Sequence, residues 1–358
     1  MFGHRSDGKK VKGMNIIDKA EPFFMPQRID AVNYTTVKIP CDKMDEFIAR
    51  ERRNGNTYSY MHLVIATIVR VLYTRKKLNR FIMRGTIYQR NYISVSMDIK
   101  KKLEDEGEQV TLKFYFTGKE NLNEIKQIVD TEIANNLKED AVYGTTKVAK
   151  KFTALPDFLF RWAMKFVNWA DKHGLLPKSL IKASPFHTSC FLTNLKSIKL
   201  GHIYHHLYNF GTTTMFVSMG KEKVEPYVEN NKELKLGKFL NLGMSLDERV
   251  ADGLYMGKSL KLCQDLLANP DNLKENMPDD GTIPKKLIKK KVKKENKQKK
   301  KEAKKIKKQE EKKNKKIKPL KNKQRYDDKI KKSKLKKEKM ISFERGLDDD
   351  IQNNDNAK

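Results

Sequence analysis

Apolar residues recur with a period of two in several short stretches, and that pattern predicts strands. The clearest is Ile93, Val95, Met97 and Ile99, alternating with Ser94, Ser96 and Asp98. Leu240, Leu242, Met244 and Leu246 repeat the pattern near the end of the apolar part of the chain, predicting a strand from Phe239 to Leu246. Further strands are predicted over Asn33 to Ile39, over VTLKFYF, over Ser189 to Leu195 and over Thr213 to Met219. Phe81 to Gln89 predicts a short hairpin turning at Arg84-Gly85.

Helical periods fall between these strands. Asp42 is placed to cap a helix ending near Arg53, with Gly55 as its stop. Ser59 is placed to cap YMHLVIATIVRVLYTRKKL, which is apolar on most sides and so predicts a buried helix. Asn121 to Asn136 predicts another helix, and residues 137–152 predict a polar loop. The run DFLFRWAMKFVNWADKHG after Pro156 is almost continuously apolar and aromatic, broken by Arg161 and Lys165. It reads as a buried helix or an oligomer contact, with a helix lying on a membrane surface as the alternative. A last helix, LYMGKSLKLCQDLLANP, stops at Asn269-Pro270. Strands and helices mixed in this order predict an α+β fold.

Composition changes the picture at the C-terminus. The 358 residues carry a net charge of +31. From Lys285 to Met340 there are 30 Lys/Arg against 7 Asp/Glu, so +23 of that charge lies in one segment. Few apolar residues recur there, which predicts a disordered or solvated-helical tail. The expected division is therefore an N-terminal extension (1–25), a folded domain (26–284) and a lysine-rich tail (285–358). The tail reads either as an electrostatic footprint for an anionic partner (RNA, DNA or an anionic membrane surface) or as a solubilising, lysine-biased segment. Between Lys285 and Met340 Tyr326 is the one aromatic residue, which gives base stacking little support.

Cys41, Cys190 and Cys263 form no C-x-x-C pair, so neither a zinc site nor a disulfide framework is expected. No run reaches the roughly 18 apolar residues of a membrane span. The start is polar, without a signal-peptide core. A cytoplasmic location is expected, with peripheral membrane association as an addition. His202, His205 and His206 lie between two strands. The spacing of His202 and His206 suits metal ligation on a helix. Gly201 and the lack of a carboxylate partner favour a loop and no metal.

The strongest chemical candidate is DERVADG, Asp247 to Gly253, a charged turn between a strand and a helix. Together with MPQRIDAVNYTTVKI and FLTNLKSI, and in that order along the chain, it resembles the catalytic domain of the dihydrolipoyl acyltransferases of 2-oxoacid dehydrogenase complexes. FLTNLKSI is similar to that family's F-T-I-S-N-L-G, and SLDERVADG to its S-x-D-H-R-x-x-D-G. The resemblance runs from about Pro26 to Pro270 and implies a chloramphenicol acetyltransferase-like fold, with a mixed sheet flanked by helices.

The resemblance also implies chemistry. The residue at Glu248 would be the general base, Thr193 would donate to the oxyanion, and Asp252 would orient the catalytic loop by pairing with an arginine such as Arg28. Acyl-CoA would be the substrate, and the active site would form between subunits of a homotrimer. The departure is at position 248, where the family has histidine. Imidazole titrates near pH 6.5 and a glutamate near 4.3, so the carboxylate is the poorer base at neutral pH. His187 is a candidate substitute. With only about 25 residues before Pro26, no lipoyl domain is expected in this chain. Two functions follow: an acyltransferase moving an acyl group from an acyl-CoA thioester to a thiol, hydroxyl or amine, with reduced activity, or a catalytically inactive trimeric scaffold or CoA-ester binding protein.

Overall fold

The computed structural model describes residues 5–101, 104–137, 154–228, 233–279 and 328–340. The chain divides into two compact units, Met1–Pro284 and Lys285–Lys358. In the second, residues 328–340 form an exposed helix. The rest of the predicted tail, and the loop predicted over 137–152 beyond Leu137, lie outside the described residues.

The first unit is built on a seven-stranded mixed sheet. Its strands are β2 (Val32–Pro40), β5 (Ile93–Lys100), β6 (Gln109–Phe116), β7 (Cys190–Asn194), β8 (Met215–Met219), β9 (Lys223–Val228) and β10 (Leu234–Asp247). The order is β2-β10-β8-β7-β5-β6, and β9 pairs with the first half of β10. β5, β7 and β8 run parallel to one another, whereas β2, β10 and β8 are antiparallel, as are β5 and β6. A second sheet joins β1 (Gly8–Lys10) to the hairpin of β3 (Arg80–Met83) and β4 (Thr86–Arg90). Arg84 and Gly85 both have positive φ, 49° and 68°, as a tight two-residue hairpin turn requires.

The helices are α1 (Ile16–Phe24), α2 (Asp42–Arg53), α3 (Tyr60–Thr74), α4 (Leu122–Leu137), α5 (Asp157–Lys172), α6 (Lys178–Ala183) and α7 (Gly253–Leu267). α3 is the buried one, as its all-round apolar character predicts. Ser59 caps it, and the His62 ring completes a capping box. Asp42 does not cap α2: the helix takes it as its first residue, after Cys41, where a carboxylate instead complements the helix dipole.

Even-numbered residues of β10 (Leu240, Leu242, Met244, Leu246) pack into the main core with Leu63, Leu267, Met97 and Leu192. Such burial is worth roughly 25 cal/mol per Å2 of apolar surface. The opposite face of the sheet carries hydroxyls and glycine. Ser218 Oγ is within hydrogen-bond reach of the Ile203 backbone, and Ser245 Oγ donates to His205 O at 2.6 Å. A Cβ on Gly243 would lie 2.5 Å from Ile203 O, so glycine permits this approach. Residues 199–211, which have no regular secondary structure beyond their first residues, therefore lie across this face. His202 and His206 sit in this non-helical stretch, so the helical metal spacing does not arise.

α5 departs from the buried reading. Phe158, Leu159, Trp162, Phe166 and Trp169 are all exposed, and only Ala170 and Asp171 are buried. Composition fixes that this helix has an apolar face but not what covers it. Among the described residues no helix is long and apolar enough to cross a membrane.

Candidate active site

DERVADG is held by its own charges. Asp247, at the end of β10, receives Arg249 Nε at 2.8 Å and Nη2 at 2.7 Å, and both side chains are buried. Arg249 Nη1 also donates to Met25 O at 2.6 Å, which ties the turn to the end of α1. This forked pairing satisfies charges that would be costly to bury alone. Glu248, between them, is half-buried at the start of a short 3-10 turn (Glu248–Val250). Its Oε2 accepts from Asn33 Nδ2 at 2.6 Å.

Asp252 is the N-cap of α7: its Oδ1 accepts from Tyr255 N at 2.8 Å. The helix N-terminus holds its carboxyl below the ordinary range, and the Lys77 ammonium, 3.4 Å away, adds to this. Asp252 does not pair with Arg28. Arg28 is buried elsewhere and donates to the carbonyls of Tyr208, Asn209 and Gly211 at 2.6, 3.1 and 2.7 Å. Burial pushes its guanidinium down to about 10, with Asp247 pulling the other way. The arginine is spent on holding the end of the 199–211 segment, because carbonyls rather than a carboxylate face it.

His187 cannot serve as a substitute base for an incoming acceptor. It is fully buried, with Nε2 3.0 Å from Asp171 Oδ2 and Nδ1 2.7 Å from Ser184 Oγ. Arg5 joins the same buried cluster through Asp171 and Asp7.

Thr193 lies on the polar face of the sheet, one residue beyond Leu192 of the core. Its strand pairs with β8 at Ser218, which in turn pairs with Gly243. Glu248 is five residues further along β10, or about 17 Å at strand spacing. Thr193 and Glu248 therefore do not meet within one chain. The group beside Thr193 is His205, with Nε2 3.2 Å from Thr193 Oγ1. The His205 ring stacks on Phe216 at 4.2 Å between centroids, and its carbonyl is fixed by Ser245. Burial holds this imidazole below its ordinary value, against the pull of Asp98 on the neighbouring strand and with the help of His206. A neutral ring with an available lone pair can accept a proton, and both members of the pair are half-buried. Neither periodicity nor spacing singles out His205. The only sequence signal is a histidine in the loop that follows the FLTNLKSI strand.

Behind the same strand, on the helix side, Asn194, Lys196, Ser197, Tyr60, Arg52 and Lys238 line a cavity of about 460 Å3. Asn194 Oδ1 is buried there without a partner among the described residues. Among the described residues, no three His, Cys, Asp or Glu side chains are grouped to hold a metal ion.

Comparison with known proteins gives the following matches. The probable dihydrolipoamide acetyltransferase of Listeria monocytogenes is 12% identical, covering 72% of this chain and 94% of that one, with a TM-score of 0.45. The dihydrolipoamide acetyltransferase of Azotobacter vinelandii is 10% identical, covering 74% and 94%, with a TM-score of 0.46. A chloramphenicol acetyltransferase is 13% identical, covering 73% and 99%, with a TM-score of 0.44. No curated protein sequence matches the chain. Residues 212–274, which hold β8, β10, the DERVADG turn and α7, match the 2-oxoacid dehydrogenases acyltransferase (catalytic domain) family.

Proposed function

We propose that this protein transfers an acyl group from an acyl-CoA thioester to a thiol, hydroxyl or amine, at a centre formed by Thr193 and His205. The observation that carries the reading is the 3.2 Å approach of Thr193 Oγ1 to His205 Nε2 on the polar face of the sheet. The family match over residues 212–274 supports acyl transfer as the reaction class.

In this reading His205 Nε2 takes the proton of the acceptor, which displaces the ring from Thr193. The acceptor atom attacks the thioester carbonyl. Thr193 donates its hydroxyl to the oxyanion that forms. The C–S bond then breaks, and the leaving thiolate takes the proton from His205. Glu248, some five strand residues away, is not the base of its own chain's site.

A second reading is a non-catalytic trimeric scaffold or CoA-ester binding protein. The hydrogen bond from Asn33, which occupies Glu248 Oε2, favours it over proton transfer at position 248. Turnover of acetyl-CoA against a panel of thiols, amines and alcohols separates the two. The acyltransferase reading expects His205→Gln to lower kcat/KM by about 10²–10⁴-fold, Thr193→Ala to lower it about 10²-fold, and Glu248→Gln to change it little. Loss confined to Glu248→Gln, in a protein that sediments as a trimer, would move the base to a neighbouring copy. CoA-ester binding without turnover would establish the scaffold.

A further inference from the structure

The exposed face of α5 has a composition that its neighbours among the described residues do not explain. Phe158, Trp162, Phe166 and Trp169 are 64%, 71%, 65% and 46% exposed. At 100° per residue these four, with Leu159, fall on one arc of the helix. Arg161, Lys165 and Lys172 are exposed along one flank of that arc, and Lys165 Nζ lies 5.8 Å from the Trp162 ring centre. Asp157, at the first turn, is the helix's one exposed carboxylate; Asp171 is buried against Arg5 and His187.

Asp171 also explains why the aromatic face points outward. Its carboxylate and backbone carbonyl receive Arg5, which fixes the rotation of the last turn of α5. The helix cannot roll its aromatic side inward without stripping a buried ion cluster. Leu155 and Leu175, just outside the two ends, are exposed as well, and Lys178 and Lys182 follow on α6.

We infer that α5 is an interfacial helix that docks this protein on an anionic lipid bilayer, with its aromatic face in the headgroup–acyl boundary and Arg161, Lys165 and Lys172 against lipid phosphates. Tryptophan and phenylalanine on one arc with cations at its edge is the arrangement that such a surface selects. Sixteen residues, about 24 Å of helix, lie along a membrane but do not cross it. The cations distinguish this occupant from an apolar groove on another protein, because anionic headgroups are their natural counter-charge.

The chain has only two tryptophans, Trp162 and Trp169, both on this face, so selectively excited tryptophan fluorescence reports on this helix alone. Full-length protein is titrated with phosphatidylcholine–phosphatidylglycerol vesicles and with phosphatidylcholine vesicles. The expected result is a blue shift with the anionic vesicles, quenching by brominated acyl chains, and weakening as salt is raised. Phe158→Ser with Phe166→Ser, which keeps both tryptophans, is expected to weaken partitioning by at least about ten-fold with unchanged far-UV circular dichroism. Three results would overturn the inference. One is vesicle binding with unaltered tryptophan emission, which assigns binding to another surface. The second is no binding at all. The third is emission already blue-shifted without lipid in a concentration-dependent way, which makes a second copy the occupant.

Discussion

Glu248 and Asn33 are joined by a 2.6 Å hydrogen bond between the DERVADG turn and the start of β2. The carboxylate at the position where the resembling family has histidine is thus a fastener between the two ends of the folded unit. Asn33→Ala and Glu248→Ala are each expected to lower unfolding free energy by about 0.5–1.5 kcal/mol. Non-additivity in the double-mutant cycle, read by urea denaturation, checks the pairing.

Asp247 matters more than the exposed Asp252. Asp247→Asn leaves the buried Arg249 guanidinium without its counter-charge, and the expected loss is about 3–5 kcal/mol. Replacing Asp252, which caps α7 from an exposed position, is expected to cost about 1 kcal/mol. Thermal denaturation of the two variants should rank them in that order.

Gly243 couples the sheet to the candidate site. A Cβ there would lie 2.5 Å from Ile203 O and 2.7 Å from Ser218 Oγ, so Gly243→Ala must lift the 199–211 segment. The expected stability loss is about 1–3 kcal/mol. Acyl transfer should fall further than stability does, because His205 rides on that segment. Turnover measured well below the melting temperature checks this.

Lys113 gives a pH signature independent of function. It is buried, donates to Ile181 O and Ser184 O at 3.0 and 3.1 Å, and burial lowers it to about 7. Its unfolded value is near 10.4, so above pH 7 the unfolded chain binds more protons at this residue than the folded one. Stability should therefore rise with pH between about 7 and 10, by at most about 1.4 kcal/mol per unit, and flatten below 7, where both states are charged. Lys113→Met should remove that slope in urea melts taken across the range.

His205 gives the opposite kind of profile. The ring must be neutral to accept a proton, and its folded value lies below the ordinary one. Activity should be level through neutral pH and fall on acidification below about 6.5. Glu248→Gln should leave that acidic limb in place.

Period-two alternation located most of the central sheet, and continuous apolar character located α3. β9 was missed because Lys223, Glu225 and Pro226 give it the composition of a loop; proline and charge are tolerated on such an edge strand. The Ser94 and Ser96 alternation reads as one buried and one wet face, yet both serines are fully buried under chain from Pro185 to Ser189. Thr193 was recognisable from its motif. Its partner His205 was not, because the eleven residues between them, most of them irregular, carry no period. Arg28 was legible as a significant arginine, but its partners are backbone carbonyls, which no sequence pattern marks.

The strand that ends at Asp247 lies inside the sheet, between β2 and β8, although it is the last strand in chain order. Its partners on one side are some two hundred residues earlier, with Leu246 opposite Asn33. A growing chain that has not yet released Leu234–Asp247 must hold three strands, β2, β8 and β9, whose edges toward β10 are unpaired. Final closure of the sheet therefore waits on the same segment that carries the DERVADG turn. The interval before that closure is when this protein is most exposed to mispairing with another copy.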